Sequence, residues 1–181
     1  KFRLTEGGAM ESDLRQHLEA IIKGSKNLDP YANARIENVR KRLQTSLEEF
    51  IQTNNIDRNR FEQELIFYIE KFDLSEEKVR LGSHCKYFLQ TMDEDSSTGK
   101  KLSFIAQEIG REINTIGSKA NDADIQKIVV VLKDELEKIK EQIEQQNAQE
   151  LQELQQKTEK RKSQYEQTIK EIEQTGWYKI I

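Results

Sequence analysis

The sequence predicts an all-α protein: antiparallel helical hairpins or a bundle, with a long C-terminal helix or weak coiled-coil tail. Three observations point there. The 181 residues include only 8 Gly and 1 Pro, too few for the many turns of an all-β chain. Apolar residues recur at three- and four-residue intervals along most of the length. No segment alternates convincingly with the period of two that a half-buried strand requires, and Val129-Val130-Val131 lies inside a helical pattern.

Residues 11–26 form the first predicted helix, with Leu14, Leu18, Ile21 and Ile22 on one face; Gly24 and Asn27-Leu28-Asp29-Pro30 are expected to end it. A second helix over 31–52 carries Ile36, Val39, Leu43, Leu47 and Phe50. Asp57 is the expected N-cap of a third, with Phe61, Leu65 and Ile69. Ser75 is read as the cap of a fourth helix ending near Met92, with Leu81, Cys85, Phe88 and Met92 on its apolar face. Residues 93–99 are a polar loop. A fifth helix covers 100–116, and Gly117-Ser118-Lys119 is expected to break it. Asn121 or Asp122 caps a sixth, striped by Ile125, Ile128, Val129, Leu132, Leu136, Ile139 and Ile143.

The pattern changes near residue 145, which suggests a helical domain over 1–144 and a tail over 145–181. Ten glutamines lie between Gln142 and Gln174. Leu151, Leu154, Thr158, Arg161, Tyr165, Thr168 and Ile172 follow a heptad register with polar core positions, a weak seam for packing on the same chain or a second copy. Trp177-Tyr178-Lys179-Ile180-Ile181 is apolar enough to dock.

Charge and composition exclude several functions. With 29 basic and 33 acidic side chains the net charge is −4, so nucleic acid would be met by a local basic patch or a metal and not by an overall field. A single cysteine excludes an internal disulfide framework and a multi-cysteine zinc site. No run approaches a membrane span. The start at Lys1 without an initiator Met reads as a fragment or processed piece, and a cytoplasmic location is expected. Phosphate loops of the Gly-rich type and nucleophile elbows are absent.

What remains are carboxylates and an imidazole on two helices. Glu108 and Glu112 are neighbours on successive turns, where like charges repel unless a cation lies between them. They suit either Lys or Arg partners on a neighbouring helix or a hard divalent ion. On the fourth helix Glu77, Arg80, His84 and Tyr87 share a sector about 80° wide. His84 can exchange a proton near neutrality or ligate a metal, or serve simply as a boundary residue. Cys85, on the apolar side, reads as core.

The run Lys101-Leu102-Ser103-Phe104-Ile105-Ala106-Gln107-Glu108-Ile109-Gly110-Arg111-Glu112-Ile113-Asn114-Thr115-Ile116-Gly117-Ser118-Lys119 resembles the signature of the YicC/YloC family of bacterial proteins. Lys71-Phe72-Asp73-Leu74-Ser75-Glu76-Glu77-Lys78-Val79-Arg80-Leu81-Gly82-Ser83-His84 and Leu4-Thr5-Glu6-Gly7-Gly8-Ala9-Met10 match further segments in order, so the resemblance spans about residues 1–144. It departs at Gly110, where the family usually has Asn, and at Ser103, where it usually has Asp. The resemblance implies the C-terminal helical domain of a metal-dependent endoribonuclease that binds RNA and forms a homo-oligomer, with a hexamer suggested. It carries over Asp73, Glu76, Glu77, Arg80, Ser83 and His84, and Gln107, Glu108, Arg111, Glu112, Asn114, Thr115, Ser118 and Lys119.

Chemistry then suggests roles. Asp73, Glu77, Glu108 and Glu112 are candidate ligands for Mg²⁺ or Mn²⁺. His84, Glu108 and Glu112 are the catalytic candidates, with His84 as general base. Arg80, Lys101, Arg111 and Lys119 are candidate phosphate binders, and Gln107, Asn114 and Thr115 are placed to contact sugar or base. A metal-free route would use the RNA 2′-OH as nucleophile. The expected activity needs an N-terminal domain and an oligomer; the alternatives are a non-catalytic RNA-binding or oligomerisation module and a purely structural scaffold.

Overall fold

The computed structural model describes residues 2–51, 58–94, 99–120 and 122–175. They form six helices: α1 (Phe2–Lys26), α2 (Asp29–Ile51), α3 (Arg58–Phe72), α4 (Ser75–Met92), α5 (Gly99–Lys119) and α6 (Ala123–Thr175), with no strand among the described residues. The all-α expectation holds.

Several helix ends differ from the sequence reading, each for a local reason. α1 starts at Phe2, well before its apolar periodicity, although Gly7-Gly8 is unfavourable for a helix on propensity. Gly24 does not end α1 but lies inside it. Pro30 falls in the first turn of α2, where its missing N–H costs no hydrogen bond, so the same cluster that ends α1 starts α2 two residues earlier than expected. The N-cap of α4 is Leu74, which offers no side-chain cap, and not Ser75. Asp73 Oδ1 instead accepts from the Ser75 N–H at 3.0 Å and from its hydroxyl at 2.6 Å. At α6 the cap is Asp122, whose Oδ1 accepts from the N–H groups of Asp124 and Ile125, both at 3.0 Å. The expected caps Asp57 and Asn121, and the terminal Trp177, lie outside the described residues.

α5 runs through Gly117-Ser118-Lys119 without the expected break. Gly117 is there for packing: a Cβ at this position would lie 3.1 Å from Val129 Cγ1 on α6. A Cβ at Gly110 would meet Leu136 Cδ2 at 3.2 Å, and one at Gly24 would meet Leu132 Cδ2 at 2.6 Å. Three glycines thus let α1 and α5 approach α6 closely.

The chain divides into two units, Lys1–Gln142 and Ile143–Ile181. In the first, α1 packs on α4, α4 on α5, and α2 on α3. Leu14, Leu18 and Ile21 of α1, Leu81, Cys85 and Phe88 of α4, Ile105, Ile109, Ile113 and Ile116 of α5, and Ile125, Leu132 and Ile139 of α6 form its core. These are the stripes that the 3.6-residue period marks out. In the second unit the helix continues to Thr175, and the expected seam residues Leu151, Leu154, Tyr165 and Ile172 are exposed. Among the described residues no helix is long and apolar enough to cross a membrane.

Candidate functional site

α4 and α5 lie antiparallel. Glu94 pairs with Lys101 near their connection, and Glu77 pairs with Lys119 at the far end. Between these ion pairs the two helices leave a groove of about 480 Å³ lined by His84, Tyr87, Lys100, Lys101, Phe104, Ile105 and Glu108. Three of the residues singled out in the sequence, His84, Lys101 and Glu108, therefore meet in one place. Lys101, Phe104, Glu108 and Arg111 are spaced three or four residues apart along one side of α5, which puts them in a single row.

The groove combines cations with exposed rings. Phe104 is 67% exposed, and Tyr87 is also open to solvent. The Lys101 ammonium lies 5.0 Å from the centroid of the Tyr87 ring. Hydrogen bonds to Glu94 and then to Tyr87 hold the Lys101 pKa above its ordinary value, so it stays charged. His84 is half-buried at the groove wall and has no hydrogen-bond partner among the described residues. Phe104 did not stand out in the sequence. Its signal was a large ring three residues after a lysine on the polar side of an amphipathic helix.

The four proposed metal ligands do not assemble. Glu77 is taken by Lys119, Nζ to Oε1 at 2.7 Å, in a buried position. Asp73 is engaged by Ser75, whose hydroxyl holds its carboxyl below the usual range. Among the described residues no three His, Cys, Asp or Glu side chains are gathered to hold a metal ion. Glu108 and Glu112 remain. Glu108 pairs within its own helix with Arg111 at 2.7 Å, not with a neighbouring helix. Glu112 is only 9% exposed and has no ion pair or hydrogen bond among the described residues. Its oxygens are not among the buried side-chain atoms without a partner, so the carboxylate keeps contact with solvent while its stem is covered.

The other candidates lie along the two helices but outside the groove lining. Arg80 pairs with Glu76 one turn away. Gln107 and Asn114 are exposed, and the Thr115 hydroxyl bonds back to the Arg111 carbonyl at 3.0 Å. Lys119 donates to Glu77 and to the Asp73 carbonyl, so it acts as a clasp between the α3–α4 turn and α5. Burial pushes the Cys85 thiol up to about 12, as befits a core residue and not a nucleophile.

A family model described as "Endoribonuclease YicC-like, C-terminal" matches residues 28–149. The chain belongs to the YicC-like endoribonuclease family. It is 36% identical over 145 residues to "Probable endoribonuclease YicC" of Clostridioides difficile (strain 630), covering 80% of this chain and 50% of that protein. A protein of the same name from Haemophilus influenzae is 33% identical over 139 residues, covering 77% of this chain and 48% of the relative. The chain thus spans about half the length of the curated YicC relatives it matches. The match includes α4 and α5 and all the residues of the groove between them.

Proposed function

We propose that this chain is the RNA-cleaving helical domain of a YicC-like endoribonuclease and that the α4–α5 groove is where it meets RNA. The observation that carries the proposal is the meeting of exposed rings, ammonium groups, an imidazole and a carboxylate in one groove. Every base has a π-face, so Tyr87 and Phe104 suit an unpaired strand of any sequence. Lys100 and Lys101 neutralise the backbone beside them.

In the hydrolytic route His84 takes the proton of an attacking water as its oxygen bonds to phosphorus. The phosphorus–oxygen bond to the leaving nucleoside breaks, and that oxygen acquires a proton from solvent. Glu108 and Glu112 would hold a divalent ion, which would supply charge neutralisation at the phosphate. Cleavage is proposed to require the portion of the longer relatives that this chain does not cover, and assembly of several copies. A non-catalytic RNA-binding or assembly module is the second reading, favoured by the engagement of Glu77 with Lys119 and of Asp73 with Ser75.

The test is cleavage of an end-labelled structured RNA by this chain within a protein of its relatives' full length, with Mn²⁺ or Mg²⁺ and with EDTA, beside Glu112→Gln and His84→Ala. Metal-dependent cutting lost in both variants is the expected result. Full activity in Glu112→Gln removes that residue from the chemistry. Undiminished cutting in EDTA favours attack by the 2′-OH, and binding without cutting favours the module.

A further inference from the structure

α2 and α3 enclose a second groove, of about 640 Å³, that the catalytic reading does not use. Its volume is in the range of small-ligand sites, roughly 300–1,000 Å³. One face of α2 lines it with Tyr31, Arg35, Asn38 and Arg42, spaced by four, three and four residues, and α3 contributes Tyr68 and Phe72. The Tyr68 and Phe72 rings stack with centroids 6.5 Å apart. The Arg35 guanidinium lies 4.7 Å from the Phe72 centroid.

Arg35 is half satisfied. Its Nη2 donates to the Lys119 carbonyl at 2.8 Å, whereas its Nη1 is buried without a hydrogen-bond acceptor. Buried donors almost always find a partner, so one left over inside a groove marks a place for an acceptor. Arg42, about two turns along the same face, is exposed and has no ion pair among the described residues. The carboxylate lining the groove, that of Asp122, is directed to the N–H groups at the start of α6. Tyr31 and Tyr68 are exposed at the rim. Two guanidinium forks suit phosphate oxygens, and the two phenol rings suit the flat face of a base.

We propose that the α2–α3 groove is a second RNA subsite that takes a phosphate-bearing nucleotide of a single-stranded segment, with Arg35 and Arg42 on the phosphate and Tyr31 and Tyr68 against the base. It rests on the reading of the chain as an RNA-acting domain but uses none of the residues of the α4–α5 groove. Its connection to that groove is Arg35 itself, which reaches the last residue of the helix that carries Glu108 and Glu112.

The test uses a fluorescein-labelled single-stranded oligouridylate carrying one 4-thiouridine, followed by anisotropy and by photocrosslinking with peptide mapping. Crosslinks at Tyr31 or Tyr68 are expected, together with those in the α4–α5 groove. Arg42→Glu is expected to weaken binding about tenfold, reduce the salt dependence and remove the Tyr31 and Tyr68 crosslinks. Arg42 is exposed and has no ion pair among the described residues, so this variant is expected to stay folded, as circular dichroism checks. Unchanged affinity in Arg42→Glu, with Lys101→Glu still weakening binding, overturns the second subsite and leaves the α4–α5 reading intact. Crosslinks confined to Tyr31 and Tyr68 support the subsite and overturn the α4–α5 groove as the place where the chain meets RNA. A chain that leaves the probe unbound overturns both.

Discussion

The Lys119 ammonium sits 2.7 Å from Oε1 of Glu77, whose side chain is only 5% exposed, and it ties the end of α5 to the start of α4. Two residues that the sequence assigns to phosphate and to metal are thus each other's partners. Removing one member of a buried pair leaves the other charge stranded. Lys119→Ala is expected to destabilise the chain by about 3 kcal/mol, the low end of that penalty because Lys119 is partly solvated. The double variant Glu77→Gln/Lys119→Met should recover part of the loss. Urea unfolding of the three proteins checks this; equal stability of Lys119→Ala and the native chain would show that the contact is not structural.

Glycines offer a contrast between two helical positions. A Cβ at Gly24 would lie 2.6 Å from Leu132 Cδ2, and Leu132 is fully buried, so its displacement would disturb the core around it. Gly24→Ala should cost about 1–3 kcal/mol through overpacking. Gly82 has nothing within 4 Å of its Cβ position, and it lies inside α4. Gly82→Ala should stabilise by about 0.5–1 kcal/mol by stiffening the unfolded chain and favouring the helix. Thermal melts that moved in the same direction would contradict the packing account.

Acid should loosen the first unit. Glu135 accepts from His17 at 2.6 Å and from Lys138 at 3.0 Å, and these bonds hold its carboxyl below its ordinary 4.5. Asp73 is held below 3.8, chiefly by the Ser75 hydroxyl. A carboxyl whose pKa is lower folded than unfolded adds stability above its unfolded pKa and loses it as pH falls through the folded value. The urea midpoint is therefore expected to drop between about pH 5 and pH 3, and Glu135→Gln should flatten the upper part of that fall. A profile that the substitution leaves unchanged would detach the His17–Glu135 contact from stability.

If the α4–α5 groove stacks bases, its rings are measurable one at a time. Phe104→Ala and Tyr87→Ala should each weaken binding of an oligouridylate by about 1–3 kcal/mol, while Phe104→Tyr keeps most of the affinity. Phe104 is largely exposed, so its loss leaves the core untouched. Anisotropy titrations at fixed salt give the result, and tight binding by both alanine variants would end the stacking argument.

How much of this was legible in the sequence follows from which physical signal carries each feature. Burial stripes are periodic, and so Leu14, Leu81, Ile109 and Leu132 were found in the core where the period put them. Helix ends depend on single local bonds. Ser75 looked like a cap because its residue type is a common one, but Asp73 supplies the accepting oxygen. Gly117 looked like a breaker, because a glycine in sequence does not reveal whether it frees the backbone or makes room for Val129. At the candidate site, residue types nominated His84 as a base, Lys101 as a phosphate binder and Glu108 as a ligand, and the antiparallel pairing of α4 and α5 brings them to one groove. The same reasoning offered Glu77 as a ligand, since pairwise partners between distant segments, here Lys119, leave no mark on spacing.

The two ion pairs that bracket the α4–α5 groove share a polarity: each joins a glutamate from the α4 side to a lysine of α5. Sliding one helix past the other by a turn, about 5.4 Å, would unmake both at once. The hairpin is therefore keyed at two points like a rule with two stops, and the groove between them inherits that precision. Charges at the two ends of the hairpin thus favour the alignment that brings His84 and Glu108 to one groove.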